Sequence, residues 1–299
     1  VTTPKKGLAA YLEAAKAPDP LFADIQRHVM LKATLKEEGE EGRRIDCIHP
    51  SEAVKSDWCI RANYQRIVTN IMHNPRPTSF RMENIFQEGH NTHGKWQRWL
   101  TEMKELEGDW KCDSCREEWY EFAPENCPAC GSYRFEYQEL KLECPELMIS
   151  GRTDGYLPKY RRLLEVKTMS YGGMKYEDPD FVAPYEMYHL GKSWVALENV
   201  WRDFRRPLRP ARRQGQLYLW LARNLGLEVD EIQFIYDFKA NQESKSFIVK
   251  FDQPVIDDIL ENASRIVDAV KSLEPPVCNI RGDEFCPACL PYEVADDCV

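Results

Sequence analysis

Cys112, Cys115, Cys127 and Cys130 form two Cys-x2-Cys pairs with eleven residues between them. Each pair offers two thiolates to one tetrahedral ion, so the chain must close into a loop pinned at both ends. Zinc is the ion this spacing selects. Gly131, directly after the second pair, suits backbone that turns tightly round a metal. Four thiolates leave no open coordination position, so the expected role is structural. Seven further cysteines bring the total to eleven. The odd count, with an N-terminus that lacks a secretory apolar stretch, argues against a disulfide framework and for metal binding. Cys278, Cys286, Cys289 and Cys298 make a second group. They can hold another zinc ion, or combine with the distant Cys59 around an iron–sulfur cluster, whose ligands are also thiolates. Cys47 and Cys144 remain as plain thiols.

At 299 residues the chain is long enough for one large domain or two smaller ones. No apolar run reaches bilayer length, so a cytoplasmic protein with no membrane partner is expected. The net charge of −9 does not point to nucleic-acid binding by global attraction. Locally the balance reverses. Arg202, Arg205, Arg206, Arg209, Arg212 and Arg213 alternate with Trp201, Phe204, Pro207 and Pro210. That segment is either a solvated basic loop or one that contacts phosphates.

Apolar spacing predicts helices over 81–105, 214–225 and 255–270, the last stopped by Pro275-Pro276. Strand-like alternation covers 134–143, 147–157, 163–169, 231–238 and 246–251, with a hairpin about Asn241-Gln242-Glu243. The stretch 171–210 reads as a long irregular excursion containing at most a short helix. This order is that of a mixed α/β domain. Within it, Asp154 precedes Glu165-Val166-Lys167 across a predicted strand–turn–strand. Alternation sends Glu165 and Lys167 to one face and Val166 into the core. Two carboxylates so placed suit a Mg²⁺ or Mn²⁺ ion, with the ammonium beside them for a phosphate. Taken alone, the same pattern also describes a surface hairpin with an ion pair.

Gly89-x3-His93 before these strands and Gln214-x3-Tyr218 after them complete an ordered series: His, Asp, Glu-x-Lys, Gln-x3-Tyr. The series resembles the RecB-like branch of the PD-(D/E)XK nucleases. Cys59 upstream and the C-terminal cysteines resemble its iron–sulfur subgroup, which includes AddB-type, CRISPR-adaptation and phage nucleases. Ile48-His49-Pro50-Ser51 and Phe86-x2-Gly89-His90-x2-His93-x3-Gln97 are similar to the phage members. The resemblance implies a restriction-endonuclease-like core, a central mixed sheet flanked by helices. It covers 48–109 and 135–299, with residues 1–47 as a helical lead-in and 110–134 as a zinc-ribbon insertion.

It further implies that His93, Asp154, Glu165 and the Val166 carbonyl hold one or two Mg²⁺ or Mn²⁺ ions. Lys167 would orient or activate the attacking water, and Gln214 and Tyr218 would position Lys167 or the DNA backbone. His90 competes with His93. Five cysteines (Cys59, Cys278, Cys286, Cys289 and Cys298) stand for the four ligands of a 4Fe–4S cluster or a second Zn²⁺, with Cys278 and Cys298 contesting the fourth place. The implied function is a metal-dependent DNA exonuclease acting at DNA ends or in single strands during recombination, repair or phage DNA processing. DNA is the implied partner, with a helicase, recombinase or single-strand-binding protein beside it. Two other classes compete: a non-catalytic DNA-binding or recombination-assembly module that keeps the fold, and a zinc-ribbon protein that binds a protein partner.

Overall fold

The structure is a computed structural model that describes residues 20–38, 44–72, 79–189, 192–195, 197–282 and 284–292. The chain divides into two compact units, residues 1–44 with 75–88 and residues 45–74 with 89–299. The first contains helix α1 (Pro20–Glu38), whose Phe22 meets Phe80 edge-on at 5.8 Å. Every candidate residue named above lies in the second unit except Cys298, which is outside the described residues.

The second unit begins with α2 (Pro50–Ala53), α3 (Ile60–Thr69) and the later part of α4 (Phe80–Glu102). Strands β1 (Glu107–Cys112), β2 (Glu118–Phe122) and β3 (Phe135–Tyr137) carry the first cysteine group. They are followed by β4 (Leu140–Cys144), β5 (Ile149–Thr153), β6 (Gly155–Leu157) and β7 (Arg162–Met169). The sheet order is β11-β10-β7-β6-β1-β2, with β3 also on β1; here β10 is Glu231–Phe238 and β11 Glu243–Lys250. β7 and β10 are parallel and the other pairs antiparallel, so the sheet is mixed. The strands of the cysteine loop therefore continue the central sheet, joined to it where Glu107 faces Tyr156.

Both faces of β7 are covered. Leu163 and Met169 enter the larger core, and Leu164 and Val166 enter a second core with Leu106, Trp110 and Ile235. Burial of each such aliphatic side chain contributes about 1.5–3 kcal/mol. Trp96 and Leu100 of α4 close the second core. The larger core is closed by α8 (Arg209–Asn224) and α9 (Asp257–Ser272), through residues such as Leu217, Leu221, Ile259 and Ile266. The result is an α/β fold with a central mixed sheet flanked by helices.

Two expectations are corrected. Residues 171–210 are not mainly irregular: they form α5 (Tyr171–Glu177), α6 (Pro179–Val182), the hairpin β8 (Glu186–His189) with β9 (Lys192–Val195), and α7 (Leu197–Asp203). Side-chain caps make these short helices possible, because the Ser170 hydroxyl accepts from Gly173 N and the Asp178 carboxylate from Phe181 N. α8 also starts at Arg209, five residues before Gln214. Pro210 does not stop it, since a first-turn proline lacks only an N–H that would have no partner within the helix.

Candidate functional site

The β6–β7 hairpin pairs Gly155 with Leu164. Asp154, in the bend before β6, therefore sits opposite Glu165. Its Oδ2 accepts from Val166 N at 2.6 Å, so this carboxylate takes over the β7 backbone just beyond the point where β6 begins. Its Oδ1 lies 2.9 Å from His93 Nδ1. Gln97, one turn further along α4, donates from Nε2 to the Asp154 carbonyl at 3.0 Å. Two side chains on one helical stripe thus fix α4 against the bend. His90, by contrast, is exposed.

Glu165 is 4% exposed. Its Oε1 accepts from Lys167 Nζ at 2.7 Å, and Lys167 also donates to Gln214 Oε1 at 3.2 Å. Gln214 Nε2 in turn donates to Tyr218 Oη at 2.9 Å. This chain needs α8 close to the sheet, and two glycines allow the approach. A Cβ on Gly215 would come within 2.5 Å of Phe234 Cζ, and one on Gly151 within 2.9 Å of both Pro50 and Tyr218. The Glu165 Oε2 is buried with no hydrogen-bond partner. A carboxylate oxygen left so is costly unless a cation meets it or a proton neutralises it. This observation fits a bound divalent metal, as does the oxygen-rich donor set.

His93, Asp154, Glu165, Lys167, Gln214 and Tyr218 are thus brought together from α4, the β5–β6 bend, β7 and α8. One neighbour was not anticipated from the sequence. The ligand atoms of Glu139, His93 and Asp154 all lie within 4.8 Å of one another. Among 49 acidic residues nothing in the local pattern marks Glu139. Only the pairing of Leu140 with Thr153 brings it beside Asp154.

The electrostatics follow from burial and crowding. Burial pushes the Glu165 carboxyl up to about 7 against the pull of Lys167, and the charge of Asp154 adds to the rise. Burial would lower the His93 imidazole, but the hydrogen bond and charge of Asp154, with the charge of Glu165, carry it above its ordinary value. Burial also opposes the Lys167 charge, yet Glu165 overrides it and raises the ammonium. Burial raises Glu139, helped by the Asp154 charge. The hydroxyl of Tyr218 is held well above its usual range by burial, with Glu165 acting the same way.

The cysteines converge in two groups. Cys112 Sγ stands 3.6 Å from Cys130 Sγ and Cys115 Sγ 3.6 Å from Cys127 Sγ. With Zn–S bonds of about 2.3 Å, a tetrahedron has edges of about 3.8 Å, which this spacing nearly matches. In the second group Cys59, Cys278, Cys286 and Cys289 are all buried, with Cys59 and Cys278 3.8 Å apart. Backbone N–H groups point at the sulfurs, from Ala62 to Cys59 at 3.4 Å and from Cys286 to Cys289 at 3.3 Å. Cys278 is the fourth thiol of this group among the described residues; Cys298, which contests that place, lies outside them.

The six arginines separate into two kinds. Arg213 holds Asp258 with 2.6 Å contacts to both carboxylate oxygens, and Arg202 pairs with Asp203. Arg212 stands 3.6 Å from Asp252. Arg205, Arg206 and Arg209 make no hydrogen bond or ion pair among the described residues. A cavity of about 380 Å³ bordered by Lys55, Lys167 and Gln214 continues into one of about 500 Å³ that shares Lys55 and reaches Arg209 and Arg213. A third, of about 440 Å³, adds Arg206 and Arg212. Shared walls link these cavities from Lys167 to the arginine segment, and Glu177, Asp178 and Asp258 line them too. Among the described residues no helix is long and apolar enough to cross a membrane.

No protein-family profile and no curated protein sequence matches the chain. Among solved structures, it is similar to an alkaline exonuclease (LHK-Exo) from Laribacter hongkongensis. The identity is 10% and the TM-score 0.42, over 77% of this chain and 91% of that one. It is also similar to a protein described as SSO0001, at 14% identity and TM-score 0.39, over 88% and 97% of the two chains. A phage-related exonuclease from Haemophilus somnus 129PT aligns at 17% identity and TM-score 0.27, over 44% and 60%.

Proposed function

We propose that the chain is a divalent-metal-dependent deoxyribonuclease of the RecB-like PD-(D/E)XK type, acting as an exonuclease on DNA ends or single strands. The observation that carries this reading is the buried, unpartnered Glu165 Oε2 beside Asp154, His93 and a fixed lysine. His93, Asp154 and Glu165, with the Val166 carbonyl, are the groups that would hold Mg²⁺ or Mn²⁺. When bound, such an ion supplies hydroxide at neutral pH and neutralises charge that builds on the phosphate.

The side chains support that chemistry directly. Lys167 is held by Glu165 and Gln214, and its raised pKa keeps it an ammonium. It therefore acts as a fixed cation at the phosphate rather than as a base. Gln214 spends its carbonyl on Lys167 and its amide on Tyr218, so α8 sets the lysine's direction. Arg206 and Arg209, which lack acidic partners among the described residues, suit contact with the DNA backbone along these cavities, with Arg205 beside them. The two thiolate groups brace the fold: zinc in the ribbon, and a 4Fe–4S cluster or a second zinc between Cys59, Cys278, Cys286 and Cys289.

Digestion of end-labelled single- and double-stranded DNA with Mg²⁺ or Mn²⁺ tests the reading. Asp154→Asn and Glu165→Gln should each lower the cleavage rate by roughly 10³-fold or more, with the circular dichroism spectrum unchanged. Full activity in both variants sinks the proposal. DNA retention without hydrolysis under every metal would favour the non-catalytic binding module.

A further inference from the structure

Glu139 occupies an unusual place in the chain. It is the single residue between two pinned segments. On its N-terminal side β3 is paired to β1, with Phe135 opposite Cys112 and Tyr137 opposite Trp110, and Gln138 N donates to the Asp109 carbonyl at 2.8 Å. On its C-terminal side Leu140 opens β4 opposite Thr153. Trp110 packs edge-on against both Phe135 and Tyr137, at 5.5 and 5.1 Å. Between these ladders Glu139 takes a φ of 50°, a left-handed conformation that a side chain other than glycine's disfavours. The turn brings its carboxylate to within 4.8 Å of the ligand atoms of His93 and Asp154.

Two features make this more than a crowd of acids. The cluster contains an imidazole, and next to it the Glu165 Oε2 is buried without a partner. A hard divalent cation takes about six oxygen or nitrogen ligands and usually keeps several waters, so a further carboxylate replaces one water and leaves room for a phosphate. The strand that delivers Glu139 is also the strand paired to Cys112, itself one of the four thiols of the ribbon.

We infer that Glu139 is a further ligand of the divalent cation at the His93–Asp154 site, and that the zinc ribbon is the device that holds it there. The inference rests on the metal site of the proposed nuclease. Zinc closes the loop that carries Cys112 and Cys115 at one end and Cys127 and Cys130 at the other. Closure fixes β3 on β1, and that register fixes Glu139. The ribbon is thereby a positioning element, while Glu139 touches the ion.

Calorimetric titration of Mn²⁺ into the full chain separates these roles without recourse to activity. Glu139→Gln should weaken Mn²⁺ binding about tenfold or more while the zinc content of the ribbon is retained. Cys115→Ser, which removes the ribbon zinc, should weaken Mn²⁺ binding by a similar factor, and should weaken it no further in the Glu139→Gln background. Wild-type Mn²⁺ affinity in Glu139→Gln, alongside loss of binding in Asp154→Asn, would overturn the role of Glu139 and leave the nuclease reading standing. Mn²⁺ binding that is absent from the wild type, or indifferent to Asp154→Asn, would remove both. A Cys115→Ser effect that adds in full to that of Glu139→Gln would overturn the positioning role of the ribbon.

Discussion

Glu165 is the residue at which the site's chemistry can be read from one number. Its carboxyl is shifted from an ordinary 4.5 to about 7, chiefly by burial. The neutral acid is thus the form the metal-free fold prefers. Linkage then favours the fold at low pH, a contribution fully present below about pH 4.5 and lost as pH rises through about 7. A divalent ion needs the carboxylate and must displace that proton. Mn²⁺ affinity should therefore fall by about tenfold or more per pH unit below about 7, because His93, also raised, must lose its proton as well. Calorimetry from acidic to alkaline pH checks this, and an affinity independent of pH would show that Glu165 does not bind the ion. The candidate residues His93, Asp154, Glu165, Lys167, Gln214 and Tyr218 were all legible in the sequence, because each falls in a short motif whose order can be recognised. Glu139 was not, since its proximity comes from register alone.

At the scale of elements, the decisive contact is α8 on the sheet. Gln214 and Tyr218 reach β7 only because Gly215 lets the helix lie against Ile232 and Phe234. Gly215→Ala should cost about 1–3 kcal/mol, as a methyl group is forced into a filled core. It should also lower cleavage, because the helix retreats and Lys167 loses its Gln214 contact. Chemical denaturation and the cleavage assay together test this, and an unchanged midpoint would mean that the sheet yields instead. The helices at Phe80–Glu102 and Asp257–Ser272 and the hairpin Glu231–Lys250 were readable from periodicity. The short elements of residues 171–210 were not. They have too few turns for a period to emerge and depend on single caps such as Ser170 and Asp178.

In the whole molecule, the second cysteine group joins distant parts of the chain. Cys59 and Cys278 are 219 residues apart in sequence and 3.8 Å apart in space. Asn279 reinforces the junction, accepting from Ile60 N at 2.9 Å and donating to the Trp58 carbonyl at 3.0 Å. A metal-bound staple of this span restrains a very long loop in the unfolded chain. Cys278→Ser should lower the melting temperature by about 5 °C or more and remove one metal centre, leaving the ribbon zinc in place. Metal analysis and visible absorption of protein purified without oxygen test this. Loss of a brown colour would identify the centre as iron–sulfur, loss of zinc alone would identify it as zinc, and unchanged metal content would refute the staple.

The sequence by itself determined which donors exist and in what order: the two Cys-x2-Cys pairs, Asp154 before Glu165-Val166-Lys167, and the faces those side chains take along a strand. Periodicity within one element is local, set by backbone geometry, and so it can be read without coordinates. Tertiary structure alone brought Cys278 beside Cys59, Cys286 and Cys289. It also decided that Arg202 and Arg213 are spent on carboxylates while Arg206 and Arg209 are not, and that Glu139 stands beside His93 and Asp154. Those outcomes depend on distances between elements. Such distances are set by how two cores pack on the faces of β7 and by the register of the strands that carry the cysteine loop.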